Sequence, residues 1–266
     1  MPDYTVNELN ISNRGLIKLP DNINKYINLK ELDCCDNQIT SIDNLPLQLN
    51  GLSCWNNQIT SLDNLPPNLK ELDCHWNKLT SLDNLPPKLE VLYCGNNQIT
   101  ILDNLPHNLK ELYCSLNKIT ILDNLPPNLK ELYCYCNKIT SLDNLPLTLE
   151  KLDCSNNQLT SLDNLPATLR RLYYQYNQLT SLDNLSPRLK IINCGHNKIT
   201  SLDNLPLTLE KLDCSNNQLT SLDNLPTTLE YLNCICNPLK YDFESTLENI
   251  RNYNASRMLA IHKYKN

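Results

Sequence analysis

Three sets of side chains in this chain could do chemistry. Thirteen cysteines are present, and ten of them (Cys34, Cys54, Cys74, Cys94, Cys114, Cys134, Cys154, Cys194, Cys214 and Cys234) recur at multiples of twenty residues. Thiols can form disulfides, hold zinc or act as nucleophiles, and each of these needs partners converging on one point. On in-register parallel strands, neighbouring members of such a row would sit about 4.8 Å apart, beyond the ~3.8 Å Cβ separation of a disulfide. A straight row cannot supply four tetrahedral zinc ligands. The row therefore reads as small buried apolar residues in a reducing compartment. Cys35, Cys136 and Cys236 fall outside it and are expected to be more exposed.

The second set is an aspartate at each step from Asp43 to Asp223, followed by an asparagine from Asn44 to Asn224. Like charges about 5 Å apart repel unless hydrogen-bonded or countered, and an oxygen-rich row suits calcium. Asp and Asn also cap turns by bonding local amides, and glycines of a tight calcium turn are missing, so turn capping is the favoured reading and no metal is expected. The third set, His75, His107, His196 and His262, is scattered. No G-x-S-x-G, P-loop or H-E-x-x-H occurs, so no enzyme activity, cofactor or small-molecule substrate is expected.

What positions these residues is a period. Residues 69–86, LKELDCHWNKLTSLDNLP, have the skeleton L-x-x-L-x-C-x-x-N-x-L-x-x-L-x-x-L-P. The step stays at twenty from Leu29 to Asn237, with asparagine in one slot at Asn37, Asn57, Asn77, Asn97, Asn117, Asn137, Asn157, Asn177, Asn197, Asn217 and Asn237. One unit cannot bury enough apolar surface to offset the entropy of ordering it, so units must stack and share a core. Each is expected to give a short strand around L-x-C, for example Leu72-Asp73-Cys74, with Leu72 and Cys74 inward. The slot asparagine is expected to satisfy backbone groups of its own and the next rung. The proline-containing SLDNLP stretch is too short for a full helix. The expected fold is a leucine-rich repeat solenoid: about twelve short parallel strands on a concave face, an extended back face with little helix, and a C-terminal capping helix.

The ends differ from the middle. Residues 1–28 read as an N-terminal cap with a degenerate first unit, where Arg14 stands in the asparagine slot and the step from Leu9 to Leu32 is 23. Residues 29–240 hold the repeats. Residues 241–266 read as a helical cap over about 246–263, opened by a Ser245/Glu248 capping box and carrying Leu247, Ile250, Met258 and Ile261 at helical spacing, with its basic residues solvated. Tyr174 replaces cysteine in the row, and its size predicts a shifted rung or a ring turned to an edge. The net charge of −6 and pI near 5.2 argue against nucleic acid. No apolar run is long enough to span a membrane, and the start lacks a signal-peptide pattern, so a cytoplasmic location is expected.

The units differ from one another at outward strand positions. The slot after the first strand leucine includes Tyr93, Tyr113, Tyr133 and Tyr173; the slot after the cysteine includes Trp55, His75 and Tyr135; the next includes Trp76 and Tyr176. Tyr and Trp are favoured at binding hot spots, so these nine residues are the candidate partner-binding site. Residues 137–166 repeat verbatim at 197–226, a duplication that leaves those rungs undiversified.

Units such as LPPNLKELDC and NLPATLRRLYY resemble the short LP-type leucine-rich repeats of bacterial effectors delivered into host cells. The SLDNLP back face and the abundant Asn, Ile and Lys are similar to repeat proteins of giant amoeba-infecting DNA viruses. The resemblance covers roughly 9–240. It implies a non-catalytic module that binds a protein, such as a host protein met in host cytoplasm, on its concave face. The ubiquitin-ligase domain of some bacterial relatives has no counterpart in the 26 or so residues after the repeats. The alternative is a self-assembling structural protein, such as a virion component, and a third reading is a calcium-stabilised scaffold.

Overall fold

The twenty-residue period becomes one backbone turn per unit. The computed structural model describes residues 3–265, with side chains through Arg257; the expected contributions of Met258, Ile261 and His262 lie outside the described side chains. The chain forms two compact units, Met1–Ile139 with Asn144–Leu149, and Thr140–Asp143 with Glu150–Asn266. The first carries β1 (Glu8–Asn10), β2 (Glu31–Asp33), β3 (Gly51–Ser53), β4 (Glu71–Asp73), β5 (Val91–Tyr93), β6 (Glu111–Tyr113) and β7 (Glu131–Tyr133). Each pairs in parallel with the next, so Leu32, Leu52, Leu72, Leu92, Leu112 and Leu132 form one row. Glu8 pairs with Glu31 across the 23-residue step, whose extra length holds a 3-10 turn, Ile23–Lys25. The second unit carries β8 (Lys151–Asp153), β9 (Arg171–Tyr173), β10 (Ile191–Asn193), β11 (Lys211–Asp213) and β12 (Tyr231–Asn233), again parallel, then α1 (Leu247–Lys265). The strands begin one residue earlier than the L-x-C reading, at Glu71 rather than Leu72. Between strands the chain is extended and turned rather than helical. Among the described residues no helix is long and apolar enough to cross a membrane.

The inward leucines and the cysteine form the core: in one rung Leu69, Leu72, Cys74 and Leu79 are all inaccessible. The slot asparagine ties rungs together. Asn117 Nδ2 donates to Cys114 O at 3.0 Å in its own rung and to Cys94 O at 3.0 Å in the preceding one, while its Oδ1 accepts from Ile99 N at 2.9 Å. Asn57, Asn77, Asn97 and Asn197 repeat this geometry. The amide reaches back to the rung before it, not forward. At the first rung Arg14 stands in for asparagine, its guanidinium donating to Asn10 O at 2.9 Å.

Only four glycines occur in the chain, yet most rungs have two left-handed positions. One is filled by asparagine along the back face, Asn44 through Asn184 at φ 57–64°. The other follows the cysteine by two residues and is filled by Asn56, Asn96, Asn156 and Asn216, but also by Trp76, Leu116, Tyr176 and His196, all near φ 50–58°. Asparagine tolerates this region through local hydrogen bonding, whereas for other L-residues it costs about 1–2 kcal/mol.

Several details depart from the sequence reading. The expected capping box is displaced at α1, where Thr246, not Ser245, caps the helix: Asn249 N donates to Thr246 Oγ1 at 3.2 Å. The basic residues of α1 are not simply solvated. Arg251 Nη2 donates to Thr227 O at 3.0 Å and Leu229 O at 2.7 Å, and Arg257 pairs with Asp223 at 3.0 Å. Ile250 of the same helix is fully buried. Cys35 is buried rather than exposed, because its thiol turns to the Asp33 carboxylate. Tyr174 neither shifts its rung nor turns to an edge. It is wholly buried, β9 keeps register with β10, and Tyr174 O still accepts from Asn177 and Asn197. The small Cys154 and Cys194 on either side leave room for the ring. Its hydroxyl lies against the Cys194 thiol and, among the described residues, has no oxygen or nitrogen partner.

Three substitutions test this. Asn117→Ala removes four backbone partners at once and is expected to cost about 2–4 kcal/mol by chemical unfolding; a loss under about 1 kcal/mol would show that the amide is dispensable. Tyr174→Phe should be neutral or stabilising by up to about 1 kcal/mol, since it deletes an unsatisfied hydroxyl, while Tyr174→Cys should lose about 2–4 kcal/mol to the cavity. Equal stability of wild type and Tyr174→Cys would mean the ring is strained.

Candidate functional site

The cysteine row is chemically quiet. Among the described residues no disulfide joins the thirteen cysteines and no group of His, Cys, Asp and Glu is arranged for a metal ion. Burial pushes the Cys34, Cys114 and Cys194 thiols up to about 12, and drives Cys54 and Cys94 well above the ordinary thiol range. A thiol is nucleophilic only as thiolate, so this row is held protonated. Cys236 alone is exposed, and Cys136 is half-buried. The aspartate row is used internally: Asn84 Nδ2 donates to Asp63 Oδ1 at 3.3 Å in the first unit, and Asn164 Nδ2 to Asp143 Oδ1 at 3.2 Å in the second.

In the first unit the candidate residues lie at the third strand position, Tyr93, Tyr113 and Tyr133, and in the turn just past the strand, Trp55, His75, Trp76 and Tyr135. Parallel register places Tyr93, Tyr113 and Tyr133 in one column, and their rings stack with centroids 4.4 Å apart at 18° and 12°. Each is half-buried rather than fully exposed. Tyr113 Oη donates to Glu111 at 3.0 Å and Tyr133 Oη to Glu131 at 2.9 Å. Burial and that bond raise the Tyr113 phenol well above its usual range. In the next column Trp55 stacks on His75 at 5.2 Å, and His75 Nδ1 contacts Asp73. Trp76 is 55% exposed and Tyr135 37%.

A groove connects these columns, and sequence reading missed it. Its walls are His75, Trp76, Tyr93, Tyr113 and Tyr135, and its floor is Gly95 and Ser115. The slot after the cysteine reads Trp55, His75, Gly95, Ser115, Tyr135, so two small residues sit between aromatic ones. Gly95 cannot be enlarged freely, since an added Cβ would lie 3.1 Å from Ser115 O. That small-between-large order was visible in the aligned units. The second unit holds the remaining candidates: Tyr173 is half-buried on β9, and Tyr176, 49% exposed, stacks on His196 at 4.1 Å.

Thiol accessibility gives a direct test. A thiol reagent at mildly alkaline pH should label Cys236 first in the folded protein and the cysteines of the row only after unfolding. Rapid labelling of several more thiols in the native state would contradict the packing of the row.

Comparison with known proteins agrees with this geometry. The model for leucine-rich repeats in two copies matches residues 67–107, 87–127, 107–147 and 167–207, and the single-repeat model matches 148–167 and 208–227. Curated proteins give no match. Among solved structures, YopM from Yersinia enterocolitica WA-314 is 33% identical over 89% of this chain and 61% of that one, with TM-score 0.75. The functional domain of InlJ from Listeria monocytogenes, described as including a cysteine ladder, is 31% identical over 88% of this chain and 64% of that one, with TM-score 0.64. This chain thus spans less than two thirds of either. YopM from Yersinia pestis, described as a leucine-rich effector protein, is 32% identical over 88% of this chain and 78% of that one, with TM-score 0.65. The matched repeats run from 67 to 227, more than half of the sequence, and the leucine rows and asparagine slot are those that the repeat pattern requires: the chain belongs to the leucine-rich repeat family.

Proposed function

We propose that the sheet face of the first unit binds a protein partner, with the aromatic groove between β4 and β7 as its centre. Leucine-rich repeats typically serve as interaction modules, and the site is where this chain departs from its own consensus. The observation that carries the reading is Trp76. It occupies a left-handed position, φ 55°, that Asn56 and Asn96 fill in the adjacent rungs, and it is 55% exposed. Leu116 does the same at φ 56° and 41% exposure. A bulky exposed residue in this conformation costs stability and gains no burial, and such strain collects at functional positions. Tyr176 and His196 repeat the pattern in the second unit. The likeness to YopM supports the finer reading that the partner is a host protein met in host cytoplasm, as an effector's would be.

The test pairs stability with binding. Trp76→Asn should raise stability by about 1 kcal/mol, by relieving the left-handed strain, and weaken a partner recovered by affinity capture by about 2 kcal/mol or more. Tyr113→Ala should cost about 1 kcal/mol of stability from lost stacking and weaken binding similarly. Leu47→Ser, at an exposed apolar residue away from the strands, controls for non-specific adhesion and should leave binding unchanged. A partner that binds Trp76→Asn as tightly as wild type sinks the proposal. A self-assembling role would show instead as a concentration-dependent oligomer.

A further inference from the structure

The seven strands of the first unit hold seven carboxylates and no lysine or arginine: Glu8, Glu31, Glu71, Glu111 and Glu131 at the first position, Asp33 and Asp73 at the third. The five strands of the second unit carry Lys151, Arg171 and Lys211 at the first position, offset by Asp153 and Asp213 at the third. The sign of the face is therefore a property of the first unit and not of the repeat.

In that unit the acids and the aromatics are continuous. A groove lined by Glu8, Glu31, Asp33, Glu71 and Asp73 runs across β1–β4, and Asp73 also touches His75, which walls the aromatic groove. Glu71 and Glu8 both repel Glu31. Partial burial, then these two neighbours, raise the Glu31 carboxyl above its ordinary value. Gly51 makes room for this arrangement, since a Cβ there would collide with the Glu31 carboxylate. Lysines do stand near. Lys70, Lys110 and Lys130 precede the strands by one residue and line a separate flanking groove with Lys88 and Glu90, where Lys110 is paired to Glu90 at 2.5 Å. None of them lines the acidic groove over β1–β4.

We infer that the partner docks through a basic segment, whose arginine or lysine side chains lie over the carboxylates of β1–β4 and place a cation in the aromatic groove against Trp76 and Tyr135. This rests on the docking reading above and specifies its chemistry. Carboxylates supply charge-assisted hydrogen bonds to such groups, and exposed Trp and Tyr faces attract cations at up to about 6 Å. A second copy of this chain is the competing occupant, but its strand face offers three basic groups offset by two acids, a weak complement to seven carboxylates.

The probe is a fluorescein-labelled peptide of about twelve residues, alternating arginine and serine, followed by anisotropy at near-physiological salt beside its glutamate and glutamine counterparts. The arginine peptide is expected to bind at least tenfold more tightly than either. The Glu31→Gln/Glu71→Gln double variant, which relieves repulsion and should fold, is expected to weaken it at least fivefold, as is Trp76→Asn. Glu230→Gln/Asp242→Asn changes net charge equally at exposed sites of the second unit and should leave binding within twofold. Equal binding of arginine and glutamine peptides overturns the inference. So does an equal loss in the second-unit control, which would mean diffuse attraction, and so does a wild-type dimer in sedimentation that Glu31→Gln/Glu71→Gln dissociates. A captured partner lost with Trp76→Asn but indifferent to Glu31→Gln/Glu71→Gln overturns the basic-segment assignment while the docking face stands; one indifferent to both sinks the docking reading itself.

Discussion

The asparagine slot is the interaction on which the rest of the structure depends. A primary amide has two donor hydrogens and an acceptor oxygen, and in this fold all of them go to backbone. Inside a unit the cysteine-slot carbonyl of an interior rung, in turn, accepts from two asparagines: Cys94 O takes Asn97 of its own rung and Asn117 of the next. Both lone pairs of the carbonyl are occupied, and two rungs are fixed to each other at a point just past the strand. A three-residue strand could slip against its neighbour with little loss. A row of amides buried to within 9% exposure cannot, because one slipped residue would strand several buried polar groups. Register is thus held by the asparagines, and the leucine rows follow from it.

Because the backbone is fixed this way, side chains in the other slots are released from holding it. Tyr174 shows how far that goes. A tyrosine replaces a cysteine in the core row, and the carbonyl at that position still receives Asn177 at 2.9 Å and Asn197 at 3.1 Å. The cost is confined to one buried hydroxyl facing a thiol, a weak partner. Outward slots are freer still. The stacking of Tyr93, Tyr113 and Tyr133 at 4.4 Å is the rung spacing expressed in side chains, so any aromatic repeated in that slot on successive strands must form such a row.

This division explains which features were legible in the sequence. The period, the parallel strands, the asparagine slot, the tyrosine column and the sparse helix all follow from repetition, since the many copies average away local accident. Features that depend on one rung's particulars did not. Cys35 was expected to be more exposed because it lies outside the cysteine row; its thiol instead turns to Asp33 and is buried. Ser215, in the same slot, is buried for the same reason, its hydroxyl 2.7 Å from Asp213. Helix α1 has no repeat to average over, so its cap fell one residue from the expected one and its arginines found the carbonyls of the last rung. The aromatic candidates could be picked out from the aligned units, but the groove that brings His75, Trp76, Tyr93, Tyr113 and Tyr135 together could not. A groove is made by what is absent, and the absence at Gly95 and Ser115 has meaning only once their neighbours are known to stand side by side.

A repeat protein also multiplies its electrostatics. One glutamate on an exposed strand is neutral in consequence; the same choice at the first position of strand after strand stacks like charges at the sheet spacing of about 4.8 Å. Salt bridges along the stack are available to this fold, as Lys110–Glu90 and Lys190–Glu210 show at 2.5 Å each on the flanks. Alternating Lys and Glu along β1–β4 would have used the same geometry. The chain instead keeps Glu8, Glu31 and Glu71 together, interrupts them only with Gly51, and leaves the Glu31 carboxyl under the repulsion of both neighbours. Repulsion of that kind is a cost in the free protein that a cation from outside would relieve, just as the exposed left-handed Trp76 would gain burial only against a partner. Two unrelated penalties, one in backbone conformation and one in charge, fall on adjoining rungs of the same face, where the sequence elsewhere shows that the unstrained and uncharged alternatives were at hand.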